Sequence, residues 1–458
     1  MKKRAVLMLG LVFLLACIFQ VEPSLFKAEA SNILPVHNVN TGLNYASIQE
    51  AIDATETVNG QTILVDAGTY PEHLVVSKSL AIIGEGRNTT TIDGGGAGAI
   101  VYVGTTDVLI KGFSVEHGLL GIYLDHSNNS VLLENSVSDV TNDYAIYAAI
   151  YASYSNNCTI EKNIVGPNLT PGILVTNSLD FKVSNNYVHD NEGYGLNANA
   201  SMNGLIKLNY AFNNSYDGIG LGEGCRNCTV MQNNVSDNVS YGVWLDSDSV
   251  DNLVYDNNII NNGKQASVYL ANRWDNGVEG NYWSDYNGAD QDHDGIADVP
   301  LVIGDNNTDN YPLAGEISLF ATPLGFDVNI ISNSSIADFA YFESNGTIRM
   351  RVLDGTNAKD YGFCRVRIPH ALLTEPYNVT VDGANPFYWN YTVHDDGDNR
   401  WIYFAYQRST HDVLIEGTPL QEEDRLFWYW VAAGIIAIVV IASIVLVYFR
   451  KLRKKKSS

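Results

Sequence analysis

Positive charge is scarce in this 458-residue sequence, which holds 27 Lys+Arg against 51 Asp+Glu for a formal net charge of −24. A basic nucleic-acid-binding protein is excluded. Charged residues make up 17 % of the chain, under the ~25 % usual in soluble domains, which argues against a coiled coil. Five Cys are too few to staple a chain of this size, so a disulfide scaffold is excluded. There is no Met-rich tract, and the nine His do not cluster at ligand spacing; His117 and His126 come closest to a pair. The middle of the chain has no apolar spacing of three and four sustained over ten residues, which excludes helical repeats. Its apolar runs are too short for propeller blades of ~40 residues. What fills the space is uncharged polarity. The chain has 48 Asn, 30 of them between positions 120 and 283. With 46 % hydrophobic and 11 % aromatic residues it can still build a core.

The two ends read as targeting segments. Lys2, Lys3 and Arg4 precede an apolar run, and Ala28 and Ala30 supply small residues for a cleavage site, so 1–30 is expected to be a secretory signal. Residues 426–449 are 24 positions without a charge, ~36 Å as a helix against a ~30 Å hydrocarbon core. An aromatic belt (Phe427, Trp428, Tyr429, Trp430) lies on one side and a basic tail, 450–458, on the other. The expectation is a single membrane span with the tail cytoplasmic and the rest outside. Residues 419–425 form a short acidic stalk.

Between these ends runs a repeat of about 23 residues. Gly172, Gly195, Gly218 and Gly242 each open a Gly-apolar-x-apolar unit at intervals of 23, 23 and 24; units at Gly121, Ala149 and Ser267 extend the series. In parallel, Asn135, Asn163, Asn186, Asn209, Asn233, Asn257 and Asn281 recur at 28, 23, 23, 24, 24 and 24. Period-two alternation marks short strands, and Gly and Asn mark the bends. One such coil with three short strands predicts a parallel β-helix. Its inward columns would be Ile122, Ile150, Ile173, Leu196, Ile219, Val243 and Val268, then Leu124, Ala152, Val175, Ala198, Leu221, Leu245 and Leu270. Each Asn of the ladder is placed to bond the next coil, ~4.8 Å along the axis, and Asn tolerates a left-handed bend.

Particular segments also carry a family resemblance. Residues 45–52, around Ser47 and Glu50, resemble the capping helix that opens pectin-lyase-like β-helices, and 62–70 and 80–86 resemble their first coils. The pair 280–288 (Gly280, Asn281, Tyr282, Trp283) and 308–313 (Thr308, Asp309, Asn310, Tyr311) closely resembles the terminal motif of NosD-like surface β-helix proteins, common in archaea. This implies a right-handed parallel β-helix over 31–313. The NosD name comes from copper delivery to nitrous oxide reductase, and this sequence has no Met-rich or His-rich copper motif to carry that activity.

Residues 315–418 read as an all-β, sandwich-like membrane-proximal domain. Strand candidates include 348–352, 364–368, 378–381 and 401–406, with turns at Asp354-Gly355 and Asp382-Gly383.

Four constellations are candidates for function. Asp290, Asp292, Asp294, the Ile296 carbonyl and Asp298, with Gly295 at the sharp turn, follow the spacing of a calcium loop without the Glu at position 12, which is Leu301. The expected cofactor is structural Ca²⁺ bound at 290–298; a solvated acidic turn is the alternative. The outward residue between the two inward ones in each coil gives the row Tyr123, Tyr151, Leu174, Asn197, Gly220, Trp244 and Tyr269. Aromatics at both ends of a smaller centre make a shallow groove, in which Tyr123, Tyr151, Trp244 and Tyr269 could stack on sugar faces. Asp190 and Asp237, two coils apart and so roughly 9–10 Å, form the weak candidate for a catalytic carboxylate pair. Cys225 and Cys228 form a lone CxxC, in which Cys228 shares the Asn-Cys-Thr register of Cys158; buried thiols or a local disulfide would both fit. Fourteen sequons are present, of which Asn333, Asn345, Asn378 and Asn390 outside the coils are the better glycan acceptors.

The sequence thus predicts a surface-anchored β-helix that binds polysaccharide or cell-envelope material without catalysis. A carbohydrate-active hydrolase or lyase and a purely structural envelope component are the other readings. Residues 31–449 hold 49 acidic and 17 basic residues, a net −32, which disfavours anionic partners such as nucleic acid or pectate unless Ca²⁺ bridges them.

Overall fold

The computed structural model describes residues 34–141, 147–354, 361–388, 390–395, 397 and 399–419. The expected signal, stalk, membrane span and basic tail lie outside the described residues. Among those described, no helix is long and apolar enough to cross a membrane.

Successive coils stack into three parallel sheets of eleven, ten and nine strands, the first with an antiparallel start at Leu43–Tyr45 and Val36–Asn38. One coil shows the path. Ile173–Thr176 lies in the nine-stranded sheet, Lys182–Ser184 in the eleven-stranded and Tyr187–His189 in the ten-stranded. The chain then returns to the nine-stranded sheet at Leu196–Asn199, which pairs Ile173 with Leu196 and Val175 with Ala198. A step of 23 residues is therefore one turn of the solenoid. The inward columns from Ile122 to Val243 and from Leu124 to Leu245 are fully buried, as their alternation implies. Helix α1 (Ile48–Asp53) closes the first end. Ser47 caps it by accepting from the Glu50 amide, and Glu50 reaches back past the cap to accept from the Ala46 amide.

The Asn ladder is continuous. Each Nδ2 donates to Oδ1 of the next, from Asn135 to Asn163 at 3.1 Å through to Asn257 and Asn281 at 2.9 Å. The left-handed residue of this bend is the one before each Asn: Glu134, Lys162, Asn185, Leu208, Gln232 and Asp256 all have φ between 55° and 58°. The expectation that the ladder Asn itself takes the bend is thus corrected. Side chains as unsuited as Leu208 pay ~1–2 kcal/mol there, and the buried amide next door holds them in place.

A second Asn ladder runs through Asn168, Asn191, Asn214, Asn238 and Asn262, again amide to amide at 2.9–3.0 Å. It also explains the repeat's glycines. A Cβ on Gly195 would stand 2.6 Å from Asn214 Nδ2 and 2.7 Å from the Gly218 carbonyl, so a side chain there would force the ladder to shift. A hydroxyl column, Ser127, Ser155, Ser178 and Ser201, lines a third bend. Cys225 continues its path, with its amide donating to Ser249 Oγ.

The last unit of the inward columns lies two residues earlier than the sequence suggests. Val243 pairs with Ala266 and Trp244 with Ser267, not with Val268 and Tyr269. The expected step from Val243 is 25 residues and the observed one 23, and one of those two residues is lost in a shortened bend. Val239 and Ser240 separate Asn238 from Tyr241, whereas Gly263 alone separates Asn262 from Lys264, the partner of Tyr241. Leu270 is consequently 41 % exposed.

Beyond the solenoid come two antiparallel sheets. One orders Glu316–Ala321, Asp327–Ser332, Tyr361–Pro369, Asn399–Gln407 and Thr392–Asp395; the other orders Ser335–Phe342, Thr347–Leu353, His411–Pro419 and Leu373–Val381. Val366, Ile402 and Phe404 of the first share a core with Ile348, Val379 and Ile415 of the second. The five-stranded sheet also rests on the last coils. Asn258 exchanges two 2.8 Å hydrogen bonds with the Ile317 backbone, and Tyr282, Ile296 and Leu313 pack against Ile331, Phe363 and Tyr403.

Candidate functional site

The outward row of the nine-stranded sheet holds Tyr102, Tyr123, Tyr151, Leu174, Asn197, Gly220, Trp244 and Ser267 in strict register. Tyr123 and Tyr151 stack at 5.0 Å with 10° between their planes, and Tyr102 meets Tyr123 edge-on at 5.5 Å. Above Tyr151 the row sinks, because Gly220 and Gly222 bring no side chains. The result is a cleft of about 370 Å³ between Tyr151 on one side and Trp244 on the other, within the size range of ligand sites.

Tyr194, from the bend before Leu196–Asn199, forms part of the cleft wall and lies near-parallel to Trp244 at 6.4 Å. Asn197 and Asn199 also line it. Asn197 is 3 % exposed, and its Oδ1 has no hydrogen-bond partner; Asn199 Oδ1 is likewise buried and unpartnered. A Cβ on Gly220 or Gly222 would come within 2.6 Å of one or the other oxygen, so these glycines are what lets the two amides lie flat. Glu223 stands at the rim, its Oε1 3.5 Å from Asn199 Nδ2 and its amide donating to Asp246. Burial, aided by Asp125, pushes the Tyr123 phenol up to about 12, so it stays neutral.

The row therefore brings Tyr151 and Trp244 to one cleft, with Tyr123 stacked behind Tyr151. It does not include Tyr269, which lies past the shortened bend and is 61 % exposed. Tyr102, Tyr194 and Glu223 are missed by sequence reasoning. Tyr102 has a signal in hindsight, since Val101-Tyr102-Val103 repeats the pattern of Ile122-Tyr123-Leu124.

Asp190 and Asp237 do not line the cleft. Both are left-handed residues, φ 53° and 55°, immediately before Asn191 and Asn238 of the second ladder. Asp and Asn are favoured at such bends for conformational reasons. His117 and His126 also sit at left-handed bends and bond separate acids, Asp93 and Asp125. Cys158, Cys225, Cys228 and Cys364 are free and buried, and burial pushes the Cys158 thiol up to about 12. Among the extra-coil sequons, Asn333 is already engaged at both ends of its amide, with Tyr361 O at 2.8 Å and Phe363 N at 2.9 Å, while Asn345 and Asn390 are exposed.

The acidic loop lies where the solenoid meets the five-stranded sheet. Carboxylate oxygens of Asp290, Asp292 and Asp294 come within 4.8 Å of one another. Asp290 also holds the turn by accepting from the Asp294 and Gly295 amides. Asp298 is instead used by the Gln291 amide, and Ile296 packs into the junction. Arg365 donates to the Asp294 carbonyl at 3.0 Å and lies over Trp401 at 4.0 Å. Burial raises the Asp294 carboxyl above its ordinary range, with Arg365 opposing.

Deeper in the same junction, buried Glu279 faces both Arg365 and Arg367 at 3.7 Å. Asp309 closes the first Asn ladder: its Oδ2 accepts from the Asn281 amide at 2.8 Å and Trp283 Nε1 at 2.9 Å, and its Oδ1 from the Tyr311 amide. Gly280 fits beneath it, where any Cβ would strike the carboxylate. The 280–288 and 308–313 segments are thus one structure, an end cap for the ladder. Residues 81–288 match the family model described as periplasmic copper-binding protein (NosD).

The coiled part of this chain is a NosD-like β-helix. Relatives match stretches of this chain. The cell surface glycoprotein of Methanothermus fervidus is 31 % identical over 104 residues, 23 % of this chain and 17 % of that protein. The probable ABC transporter binding protein NosD of Stutzerimonas stutzeri is 37 % identical over 79 residues, 17 % of this chain and 18 % of that one. The chain thus spans less than a fifth of the length of these curated relatives. Among solved structures, a pectate lyase is 14 % identical with a TM-score of 0.38, covering 53 % of this chain and 78 % of its own. The A-module of a mannuronan C-5 epimerase from Azotobacter vinelandii is 15 % identical with a TM-score of 0.37, covering 50 % and 93 %. Neither likeness bears on the chemistry of this NosD-like chain.

Proposed function

We propose that this protein is a cell-surface β-helix that binds polysaccharide, without catalysis, in the cleft on its nine-stranded sheet. The observation that carries the reading is the cleft itself: aromatic walls from Tyr151, Tyr194 and Trp244 around a glycine floor and the buried amide of Asn197. Aromatic faces cover the apolar faces of a sugar, and amides bond its hydroxyls. Glu223 is the one carboxylate among the lining residues, whereas glycoside hydrolysis calls for a pair. This favours binding over hydrolysis. A surface location is supported by the expected signal and membrane span and by the relative described as a cell surface glycoprotein.

The test is a glycan array probed with the full chain. Trp244→Ala is expected to weaken the best binder at least about tenfold, the scale of a central aromatic anchor. Retention of no glycan by the wild type, or full retention by the variant, would overturn the reading.

The same proposal gives Asp290, Asp292 and Asp294 a structural Ca²⁺, which would brace the junction. Calorimetry is expected to show Ca²⁺ binding that Asp292→Ala abolishes. Saturating Ca²⁺ at a hundredfold excess over Kd should add about 2.7 kcal/mol to stability. Asp292 is exposed and Asp290 carries the turn's amides, so the variant should fold; unchanged Ca²⁺ binding would reject the site.

A further inference from the structure

The wall and rim of the cleft also bear on which saccharide enters it. No Lys, Arg or His is among its lining residues, and the charge it presents is the Glu223 carboxylate. Asp246 stands directly behind, accepting from the Glu223 amide, and Asp248 follows on the same exposed bend. Farther down the row, Asp125 accepts from the Tyr102 phenol at 2.9 Å. The charge at the cleft is therefore anionic, with the sheet's exposed Lys264 lying on the last strand beyond it, on a chain whose net charge is −24. Such a field draws cations toward the cleft and repels carboxylated sugars.

The geometry of the row sets the size of the ligand. Tyr151, Leu174, Asn197, Gly220 and Trp244 occupy five successive coils. Four inter-coil steps of ~4.8 Å give ~19 Å, the length of a short run of extended sugar units. A chain laid along the axis would stack on Tyr151 at one end and Trp244 at the other, with Asn197 and the Glu223 rim between them.

We infer that the cleft selects an oligosaccharide of amino sugars bearing protonated amines, with Glu223 as the residue that reads the ammonium group. This rests on the reading of the cleft as a saccharide site and names its ligand class. An ammonium group is a three-donor cation, and it meets a carboxylate here with aromatic faces on both sides that also favour cations. A uronate would place a second carboxylate beside Glu223, and a neutral sugar would leave Glu223 without a charged partner.

The experiment is calorimetry on the full chain at about pH 6 and low salt, with chain-length-matched oligomers of glucosamine, N-acetylglucosamine, glucose and galacturonate. Glucosamine oligomers should bind about fivefold tighter than the neutral ones, the scale of one partly exposed ion pair, and the gap should close as salt rises. Galacturonate should bind weakest. Glu223→Gln should erase the preference, bringing the glucosamine oligomers down to the affinity of the glucose oligomers for the same variant; Glu223 is exposed, so the variant should fold. Equal or tighter binding of galacturonate, or a preference that survives Glu223→Gln, would overturn the inference and leave the saccharide site standing. Binding of no oligomer by the wild type would overturn both.

Discussion

Asn209→Ala is expected to lower the unfolding free energy of the solenoid by about 3–5 kcal/mol. Asn209 is wholly buried in the middle of the first ladder. Its Oδ1 accepts from the backbone amide and the Nδ2 of Asn186, both at 3.0 Å, while its Nδ2 donates to Asn233 Oδ1 at 2.9 Å and Val183 O at 3.0 Å. Truncation strands the Asn186 backbone N–H and one of the two N–H bonds of its side chain, whose other still meets the Ile160 carbonyl at 2.9 Å, and each stranded group costs ~1–3 kcal/mol in a dry interior. Asn209→Asp separates the two halves of the role. A carboxylate would still accept from Asn186 but would face the oxygens of Asn233 and Val183. It should destabilise at neutral pH and recover in part on acidification, when it can donate. Urea unfolding followed by circular dichroism measures both variants; a loss under about 1 kcal/mol for Asn209→Ala would show that the ladder is decoration on a core held by its apolar columns.

Asp256→Asn should raise stability by up to about 5 kcal/mol at pH 9 and leave it nearly unchanged at pH 4. Asp256 is 1 % exposed, and no hydrogen bond satisfies its Oδ1. Burial, with Glu279 adding to it and Arg367 and Arg365 opposing, pushes its carboxyl up to about 8. The sign follows from proton counts. Between the unfolded value near 3.9 and about 8, the folded chain holds a proton that the unfolded chain has lost. Its stabilising contribution is whole below the unfolded value and is lost as pH rises through the folded one. Asn keeps the neutral shape at every pH and fits the left-handed bend that Asp256 occupies, φ 55°. The measurement is urea unfolding of both proteins at several pH values from 4 to 9. A stability difference that does not change with pH would mean that Asp256 is not the group that titrates.

Much of the solenoid is legible in the sequence because its constraints are local and repeated. A buried amide is needed at the same place in every coil, so Asn135 to Asn281 recur at the coil length, and close backbone approach leaves Gly172 to Gly242 as the companion signal. The sandwich strands around Ile348, Val366, Val379 and Ile402 stand out by alternation. The second ladder is harder to see, because Asp190 and Asp237 beside it carry charges that draw attention to chemistry when their φ angles explain them. Tyr269 is misplaced by two residues because the last coil steps by 23 where the spacing of Gly242 and Ser267 implies 25, and period-two alternation reads equally well at either place. The cleft was half visible: Tyr151 and Trp244 lie on the repeat, but Tyr194 enters from a bend outside it. The junction was invisible. Arg365 meets Glu279 across 86 positions of sequence, and no periodicity links a solenoid to the sheet that follows it.

The closing carboxylate at Asp309 fixes how long the fibre-like part of this molecule can be. An amide side chain receives with one atom and gives with the other, so a column of Asn is open-ended by nature and invites another layer from any chain with the same repeat. Asp309 takes hydrogen bonds from Asn281, Trp283 and Tyr311 and, as a carboxylate, has no proton to pass on. The column acquires a direction and a terminus. End-to-end stacking, the hazard of stacked-strand architectures, is opposed here twice, by a column that offers no further donor and by the sheet that rests on the last coils.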